Sequence, residues 1–455
     1  MDKIVNKNSY WGICMRKWAT FNELLGDLSS GGSHLETIAK LSRYFGQFSL
    51  EEDGYQYSYL GGGNTSVNLG DSVFVKLSGH GLSTIEPKGF GMVDVKKVLN
   101  GLGSSEELCD SVLKHDYTKD FGYVKVLDQK VARLFRGASH GDGDPSVETG
   151  FHAQLSGTHN RPRWNIHDHN TVKNSLLCSN NAEQAYTELF GGDISIRFME
   201  FVEPGAPLSI VFNRKMKEWK NQAEPKVIFM AQHGTIQTGY SPQEVYDLDQ
   251  MVLEKIFTYS KAHLPEFPFG VDSFQMPDSS LVDEAYNCVK RCFPEIKNKN
   301  TKGIEEKTLV MKLLFSEIAL ATIAQGMSNP DAAVYGRAVP MVVDFKPGDN
   351  ASTLRKKTAE AKEQYIRRYR HKLPLNLDRS IYLPRIVLIP GVCAVTMGES
   401  EKQATNAYAA LVDTVYVMRG AEAFGGMKPL SYKHLFYITN WRAEARREKM
   451  ASRIN

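Results

Sequence analysis

Residues 227–241, VIFMAQHGTIQTGYS, describe an apolar strand, a tight turn, a second strand and the start of a helix. The first four residues are all apolar, which is typical of a buried strand. Residues 241–244, SPQE, have the Ser-x-x-Glu spacing of a helix N-terminus. The stretch therefore predicts a strand–turn–strand–helix unit and an α/β fold.

A second stretch, residues 386–400, has the same pattern, IVLIPGVCAVTMGES, and aligns with the first without gaps. The identities are few, chiefly Gly239 with Gly398, and Val392 stands where the first stretch has His233. We hypothesise that the C-terminal region is a degenerate second copy that kept the core and lost the chemistry. Chance similarity of two β-turn-β units is the alternative.

Length and composition bound the class of protein. The chain has 455 residues, 42% of them hydrophobic and 24% charged, with a net charge of +3. This near balance gives no electrostatic case for a nucleic-acid or membrane partner. The sequence has no run of about 18 apolar residues, so no membrane span is predicted. Residues 1–7, MDKIVNK, lack the apolar core of a secretory signal. Six sparse cysteines favour a reduced, cytoplasmic setting.

A change in composition marks a domain boundary. Residues 263–280 contain Pro265, Pro268 and Pro277 and few periodic apolar positions. We place the boundary near residue 270. This predicts a larger domain over 1–270, with a helical lead-in, and a smaller α/β domain over 271–455.

Three histidines are candidate metal ligands. His167 and His169 lie two apart on a predicted strand, so their rings point to one face of the sheet. His233 ends an apolar strand, where its side chain would face a cleft. Each has an ordinary alternative, as a polar strand residue or a hydrogen-bonded core histidine. Together the three would complete the open site of a catalytic divalent metal.

Two kinds of group accompany the histidines. Residues 144–146, DPS, predict a helix start, so Glu148 is either a first-turn acid favoured by the helix dipole or a general base or fourth ligand at the metal. The same N-terminus, at Ser146, would offer backbone N–H groups to an anion. The tight turns at 61–64 and 78–79 would add further donors, or are plain β-turns.

These residues in this order resemble the class II aldolase/adducin family. The motifs that carry the resemblance are Gly62-Gly63-Asn64-Thr65-Ser66, Ser78-Gly79, Pro145-Ser146-Val147-Glu148-Thr149, His167-Asp168-His169 and His233-Gly234. Residues 61–94 and 417–423 look most like the aldolase portion of bifunctional rhamnulose-1-phosphate aldolase/alcohol dehydrogenases. We expect their dehydrogenase domain to be absent, because no G-x-G-x-x-G opens a βαβ unit near the C-terminus. The resemblance implies a three-layer α/β/α catalytic domain over 1–270 and a C-terminal domain, 271–455, without metal ligands.

The resemblance also implies roles for single residues. Zinc, or another divalent metal, would be held by His167, His169 and His233, with Glu148 as the acid/base residue. The phosphate of the substrate would be bound by Gly63, Asn64, Ser78, Gly79 and Ser146. Two residues depart from the relatives: Val147 stands where fuculose-phosphate aldolases often have a serine, and the bifunctional relatives tend to carry Asp at the position of Glu148.

The reaction implied is zinc-dependent cleavage of a ketose, as a 1-phosphate of the rhamnulose or fuculose type, to dihydroxyacetone phosphate and an aldehyde. Relatives often form homo-oligomers, which we expect here, with a small sugar or sugar phosphate as the partner. A metal-dependent sugar-phosphate dehydratase of the same superfamily stays open, because these motifs do not exclude it. Adducin-like binding modules lack the metal histidines, and this chain has all three. The sequence identifies neither the sugar nor the group that handles the proton of the cleaved hydroxyl.

Overall fold

The computed structural model describes residues 33–47, 58, 60–103, 106–300, 308–346, 348–370 and 383–441. These residues divide into two compact units. The first unit covers the described residues up to 177 and residues 181–262. The second covers 178–180 and the described residues from 263 onward. The N-terminal stretch 1–7 and most of the helical lead-in lie outside the described residues.

The first unit is built on an eight-stranded sheet. Its strands are Asn64–Asn68 (β1), Ser72–Lys76 (β2), Phe90–Asp94 (β3), Ser139–His140 (β4), Arg163–Asp168 (β5), Ile196–Met199 (β6), Val227–Met230 (β7) and Gly234–Gly239 (β8). Their order in the sheet is β4-β3-β2-β1-β5-β8-β7-β6. All neighbours are antiparallel except β6 and β7, which are parallel. The two longest strands, β5 and β8, thus lie side by side inside the sheet.

Helices cover this sheet. They are His34–Phe45 (α1), Val95–Leu102 (α2), Glu106–Lys114 (α3), Phe121–Ala138 (α4), Thr149–Gln154 (α5), Thr171–Leu177 (α6), Ala182–Phe190 (α7), Ala206–Glu218 (α8) and Pro242–His263 (α9). A buried apolar core joins β2 and β3 to α2, α4, α5 and α8 through residues such as Val75, Val98, Phe135, Phe151 and Phe212. The helix starts follow local rules: Ser33 accepts from the Glu36 N–H and Asp94 accepts from the Lys97 N–H.

The second unit has a four-stranded sheet. Its strands are Asn298–Asn300 (β9), Met341–Val342 (β10), Ile386–Ile389 (β11) and Cys393–Gly398 (β12), in the order β10-β11-β12-β9. Its helices are Ser279–Cys292 (α10), Thr308–Leu314 (α11), Glu317–Ile323 (α12), Pro330–Gly336 (α13), Ala351–Arg370 (α14), Glu401–Ala421 (α15) and Tyr432–Asn440 (α16). Alternating strands and helices in both units confirm the predicted α/β class.

The second sheet repeats half of the first. In chain order β9 to β12 correspond to β5 to β8, and the sheet order β10-β11-β12-β9 matches β6-β7-β8-β5. The register of the aligned hairpins is also the same, because Val227 pairs with Gln237 and Ile386 pairs with Thr396. In both cases the first hairpin strand has a parallel neighbour and the second has an antiparallel one. The shared topology and register favour the duplication hypothesis over chance.

The segment 417–423, which carried part of the resemblance, has a structural role in the second unit. The Arg419 guanidinium pairs with Glu422 at 2.7 Å and donates to the Pro265 carbonyl at 2.8 Å. The Glu422 carboxylate in turn accepts from the Phe269 N–H at 2.9 Å. These bonds tie the proline-rich segment 263–280 to the end of α15.

One predicted helix start was wrong. Asp144-Pro145-Ser146 does not begin a helix, since α5 begins at Thr149 with Glu148 preceding it. Pro145 instead forms a β-bridge with Leu77, and the Ser78 N–H donates to the Asp144 carbonyl at 2.8 Å. This pairing joins residues far apart in sequence, so the local Asp-Pro-Ser signal could not reveal it. No described helix is long and apolar enough to cross a membrane.

Candidate metal centre

The three candidate histidines meet at one end of β5 and β8. His167 lies near the end of β5, His169 follows the strand, and His233 occupies the turn between β7 and β8. Because β5 and β8 are neighbours, the His167 backbone pairs with Ile236, three residues after His233. All three side chains are buried. One nitrogen from each lies within 4.8 Å of the others, which is close enough to hold one ion.

The hydrogen bonds of His167 leave one ring nitrogen available as a ligand. Its Nδ1 lies 2.9 Å from the Thr235 carbonyl oxygen, and since a carbonyl can only accept, Nδ1 carries the proton. The lone pair is therefore on Nε2, which lies 2.9 Å from Nε2 of His169. Burial lowers the pKa of His167 well below its usual value, against the opposing effect of Glu148, so the ring is neutral. Neutral imidazole is the form that binds metals.

Glu148 completes the cluster. Its carboxylate lies 3.2 Å from Nε2 of His233 and 3.7 Å from Nε2 of His167. Burial raises the pKa of the carboxyl, but His167, His233 and His169 together lower it more, so the pKa lies below its usual range. Imidazole nitrogens and a carboxylate oxygen are among the ligands zinc prefers. The residues present therefore fit a divalent metal.

Glycine is required at Gly234, next to His233. A Cβ at this position would lie 2.4 Å from the Asp168 carbonyl oxygen and 2.7 Å from the His169 ring. Gly63 has φ +70, and its Cβ would lie 2.7 Å from the His167 carbonyl oxygen. Both glycines let neighbouring backbone approach the histidines closely.

A buried ion-pair network lies behind the histidines. Lys173 of α6 is fully buried and pairs with Asp168, at 2.7 Å, and with Asp249 of α9. Asp168 also accepts from the Thr235 hydroxyl at 3.3 Å, and Thr235 is the residue whose carbonyl orients His167. The network thus anchors the strand segment that sets the orientation of a ligand.

The residues implied to bind phosphate lie in two groups. Asn64 donates to the Glu148 carboxylate and, at 3.3 Å, to the Ser146 hydroxyl, so both residues and the adjacent Gly63 border Glu148. Ser78 and Gly79 follow β2, and the Ser78 hydroxyl donates to the Pro145 carbonyl at 3.1 Å. Gly79 has φ +92, which favours glycine.

The prediction that backbone N–H groups at Ser146 are free to bind an anion was wrong. Its N–H donates to the Lys76 carbonyl at 3.2 Å, because residues 145 and 146 pair with the end of β2 instead of starting a helix. The Ser146 hydroxyl contacts the site instead and accepts from the Glu148 N–H at 3.3 Å. Any anion bound at Ser146 would therefore meet its side chain.

Sequence reasoning missed two buried residues near the site, His152 and Lys173. His152 is one turn after Glu148, which signals a shared helix face, but nothing local shows that its ring contacts Asn64. Lys173 gave no local signal either, since it is followed by the polar residues Asn174 and Ser175 and reads as part of an ordinary polar stretch. Its buried partner Asp249 is 76 residues away.

Comparisons with known proteins identify two family domains in this chain. The model of the "Class II Aldolase and Adducin N-terminal domain" matches residues 47–257, and that of "Aldolase class II, second domain" matches residues 289–447. "Uncharacterized oxidoreductase YuxG" of Bacillus subtilis (strain 168) is 22% identical over 409 residues, which cover 84% of this chain and 54% of that protein. The chain thus spans about half the length of this curated relative.

Two solved structures are also similar. The N-terminal class II aldolase domain of a conserved protein from Thermoplasma acidophilum is 19% identical, with a TM-score of 0.37, and the match covers 50% of this chain and 95% of that domain. An L-fuculose 1-phosphate aldolase is 15% identical, with a TM-score of 0.31, and the match covers 55% and 93%. The two family models together match most of the chain, and the chain belongs to the class II aldolase family.

Proposed function

We propose that this protein is a zinc-dependent aldolase that cleaves a ketose 1-phosphate of the rhamnulose or fuculose type to dihydroxyacetone phosphate and an aldehyde. One observation carries the proposal: three buried histidines and an ionised glutamate converge at the end of β5 and β8. Family membership supports a lyase of the class II aldolase type.

His167, His169 and His233 would hold the metal, which would supply Lewis-acid polarisation of the substrate carbonyl. Glu148 would act as the acid/base residue, because its carboxylate borders the three imidazoles and is ionised. In the direction of aldol addition, the Glu148 carboxylate would remove a proton from the hydroxymethyl carbon of dihydroxyacetone phosphate. In the cleavage direction, Glu148 would start protonated and return that proton to the same carbon.

Neutral donors would bind the phosphate. We propose Gly63, Asn64, Ser78, Gly79 and Ser146 for this role. Asn64 and Ser146 border Glu148. This supports a phosphate on the other side of the substrate carbonyl from the carbon with which Glu148 exchanges a proton. The tight backbone at Gly63 and Gly79 would let N–H groups approach an anion.

We further propose that the protein acts in carbohydrate metabolism as a cytoplasmic homo-oligomer. Among the described residues, the cysteines from Cys109 to Cys393 form no disulfide bonds, which suits a reducing compartment. Residues 1–270 would form the catalytic domain and 271–455 a domain without metal ligands, as the single histidine cluster of the described residues supports.

The test combines metal analysis with a cleavage assay. Purified wild-type protein, His167→Ala and the control His159→Ala, whose side chain is exposed on a turn, are analysed for bound metals. Each is then incubated with L-rhamnulose 1-phosphate and L-fuculose 1-phosphate, and dihydroxyacetone phosphate is measured by coupled reduction. We expect about one zinc per chain and cleavage in wild type and His159→Ala, and neither in His167→Ala.

A wild-type protein that takes up no metal when zinc is added would overturn the proposal and favour a binding module. Loss of water from the sugar phosphate, without release of dihydroxyacetone phosphate, would replace the aldolase by a dehydratase.

A further inference from the structure

The side chain of Asn64 contacts Glu148 with only one of its two polar ends. Its NH2 group donates to the Glu148 carboxylate, and its carbonyl oxygen faces Nε2 of His152. If the amide were turned over, the carbonyl oxygen would face the carboxylate, and two acceptors would be in contact. The orientation of this amide therefore decides whether Asn64 attracts or repels Glu148.

His152 has the hydrogen bonds needed to fix that orientation. Its Nδ1 lies 2.8 Å from the Ser66 hydroxyl, and its Nε2 contacts the Asn64 carbonyl oxygen. Since that oxygen can only accept, Nε2 carries the proton. The ring is fully buried. Burial lowers its pKa to about 3, which outweighs the raising effect of Glu148, so the ring stays neutral with one proton.

The proton on Nε2 is enforced from the other side of the ring. Ser66 accepts from the Asn165 side-chain NH2 at 3.1 Å, so its own hydroxyl proton is directed to Nδ1 of His152. Asn165 accepts from the Thr238 hydroxyl at 2.6 Å, and that hydroxyl accepts from Nε of Arg163 at 2.6 Å. Arginine can only donate.

Every link of this chain therefore has the same direction. We call its members the polar chain: Arg163, Thr238, Asn165, Ser66, His152, Asn64 and Glu148. All seven side chains are buried. It begins at a group that only donates and ends at a carboxylate that only accepts, so no internal member can reverse without breaking a bond.

We propose that His152 is a positioning residue: by donating from Nε2 to Asn64 it holds the Asn64 NH2 group toward Glu148 and so fixes the carboxylate beside the three histidines. Its effect on catalysis rests on the proposed function, whereas the proton on Nε2 and the orientation of Asn64 do not.

Two variants separate positioning from packing. His152→Gln keeps an NH2 group that can donate to Asn64, and His152→Met has a similar length but no donor. Gln154→Met on the same helix is the control, since Gln154 is also buried but bonds only to backbone carbonyls of Gly150 and Ser209. All variants are assayed for bound zinc, thermal unfolding and cleavage of L-rhamnulose 1-phosphate.

We expect His152→Met to keep its zinc but to lose about 100-fold in kcat, because small displacements of a reacting group cost this much. His152→Gln should stay within about 10-fold of wild type. Equal losses of kcat in the Gln and Met variants, with zinc retained in both, would overturn the proposal.

Spectroscopy tests the same idea without turnover. In the metal-free, 15N-histidine-labelled protein, we expect His152 to show a neutral ring protonated at Nε2. In protein labelled at asparagine, the Asn64 NH2 protons should exchange slowly with solvent in wild type and His152→Gln and at least 10-fold faster in His152→Met. A proton on Nδ1, or equal exchange in all three proteins, would overturn the proposal even if no sugar phosphate were cleaved. Failure of the cleavage assay alone would instead count against the proposed function.

Discussion

The two sheets of this protein share a framework and differ in chemistry. In both, a backbone N–H in the hairpin turn donates to the last residue of a seven-residue helix, Gln232 to Leu177 and Gly391 to Leu314, each at 2.9 Å. Both turn residues have positive φ, +53 and +68. The framework thus depends on a backbone bond and a turn conformation that the two units share.

The differences lie in side chains at the strand ends. His233 and Gly234 of the first unit correspond to Val392 and Cys393 of the second, and Lys173 corresponds to Val310 when α6 and α11 are aligned from their first threonine. Val392 and Val310 are both buried. A metal centre in this fold therefore requires a few substitutions at sheet ends together with buried charges that support them.

The largest contrast in the free energy of unfolding should be between substitutions of Lys173 in α6 and Lys312 in α11. Lys173→Met leaves Asp168 and Asp249 buried without their cation and should lower the free energy of unfolding of the first unit by about 3–5 kcal/mol. The control is Lys312→Met in α11, whose ammonium meets only the Val271 and Asp272 carbonyls, with an expected loss of about 1 kcal/mol. Urea unfolding measures both, and equal losses would contradict the assigned role of the network.

Exchanging turn residues should change metal binding in one unit only. His233→Val introduces the residue found in the second unit and should weaken zinc binding more than about 100-fold. Loss of a residue that only hydrogen-bonds to a metal ligand already lowers metal affinity about 10–100-fold. Val392→His should add no zinc, because the described residues of the second unit provide no partner cluster. Competition with a zinc-binding dye measures both. Retained zinc in His233→Val would remove this residue from the site.

Glycine next to the ligand should matter in the first unit alone. Gly234→Ala forces contact with the Asp168 carbonyl and the His169 ring. We expect zinc binding to fall about 10–100-fold, as it does when a residue that orients a metal ligand is lost. Its counterpart Cys393 already carries a Cβ, and Cys393→Ala should leave zinc binding unchanged. The same dye competition tests the pair, and unchanged binding in Gly234→Ala would mean that the strands can separate without effect.

Acid should destabilise the first unit selectively. Burial lowers the pKa of His152 to about 3 and that of His167 well below its usual value. Below about pH 6.5 the unfolded chain binds protons that the folded unit does not, so the free energy of unfolding falls as the pH falls. His152 alone should cost about 2 kcal/mol between pH 7.5 and pH 5.

The second unit provides the internal comparison for this pH effect. Its described histidines, His263 and His434, are not buried. Hydrogen exchange of the zinc-free protein, followed by mass spectrometry of peptides from each unit, measures the difference. Equal acid sensitivity of the two units would refute the assignment to buried histidines.

The smallest effect should be the same in both units. Ser241 accepts from the Glu244 N–H at 3.1 Å and Ser400 from the Gln403 N–H at 3.2 Å. Ser241→Ala and Ser400→Ala should therefore each cost about 1 kcal/mol of unfolding free energy, measured by thermal denaturation. A large difference between them would show that the two helix starts are not equivalent.

Sequence predicted what is local or periodic. Alternation along the predicted strand placed His167 and His169 on one face, although β5 ends at Asp168 and His169 follows it. The apolar run 227–230 with its turn placed His233 at a strand end. Contacts between distant segments could not be predicted in this way. The β-bridge of Leu77 with Pro145 replaced the expected helix start, and the contact of Asn64 with His152 joins residues 88 apart.

The polar chain has a consequence for how this protein can change. Substitutions at Thr238 or Asn165, which bond to other members of the polar chain, would reverse or interrupt the bonds that reach Glu148. Mutant libraries restricted to the residues that contact the three histidines and Glu148 would sample only the last members of the polar chain. The members of the polar chain should therefore be varied together. A change at one position is tolerated only if the neighbouring member still donates and accepts hydrogen bonds in the same direction.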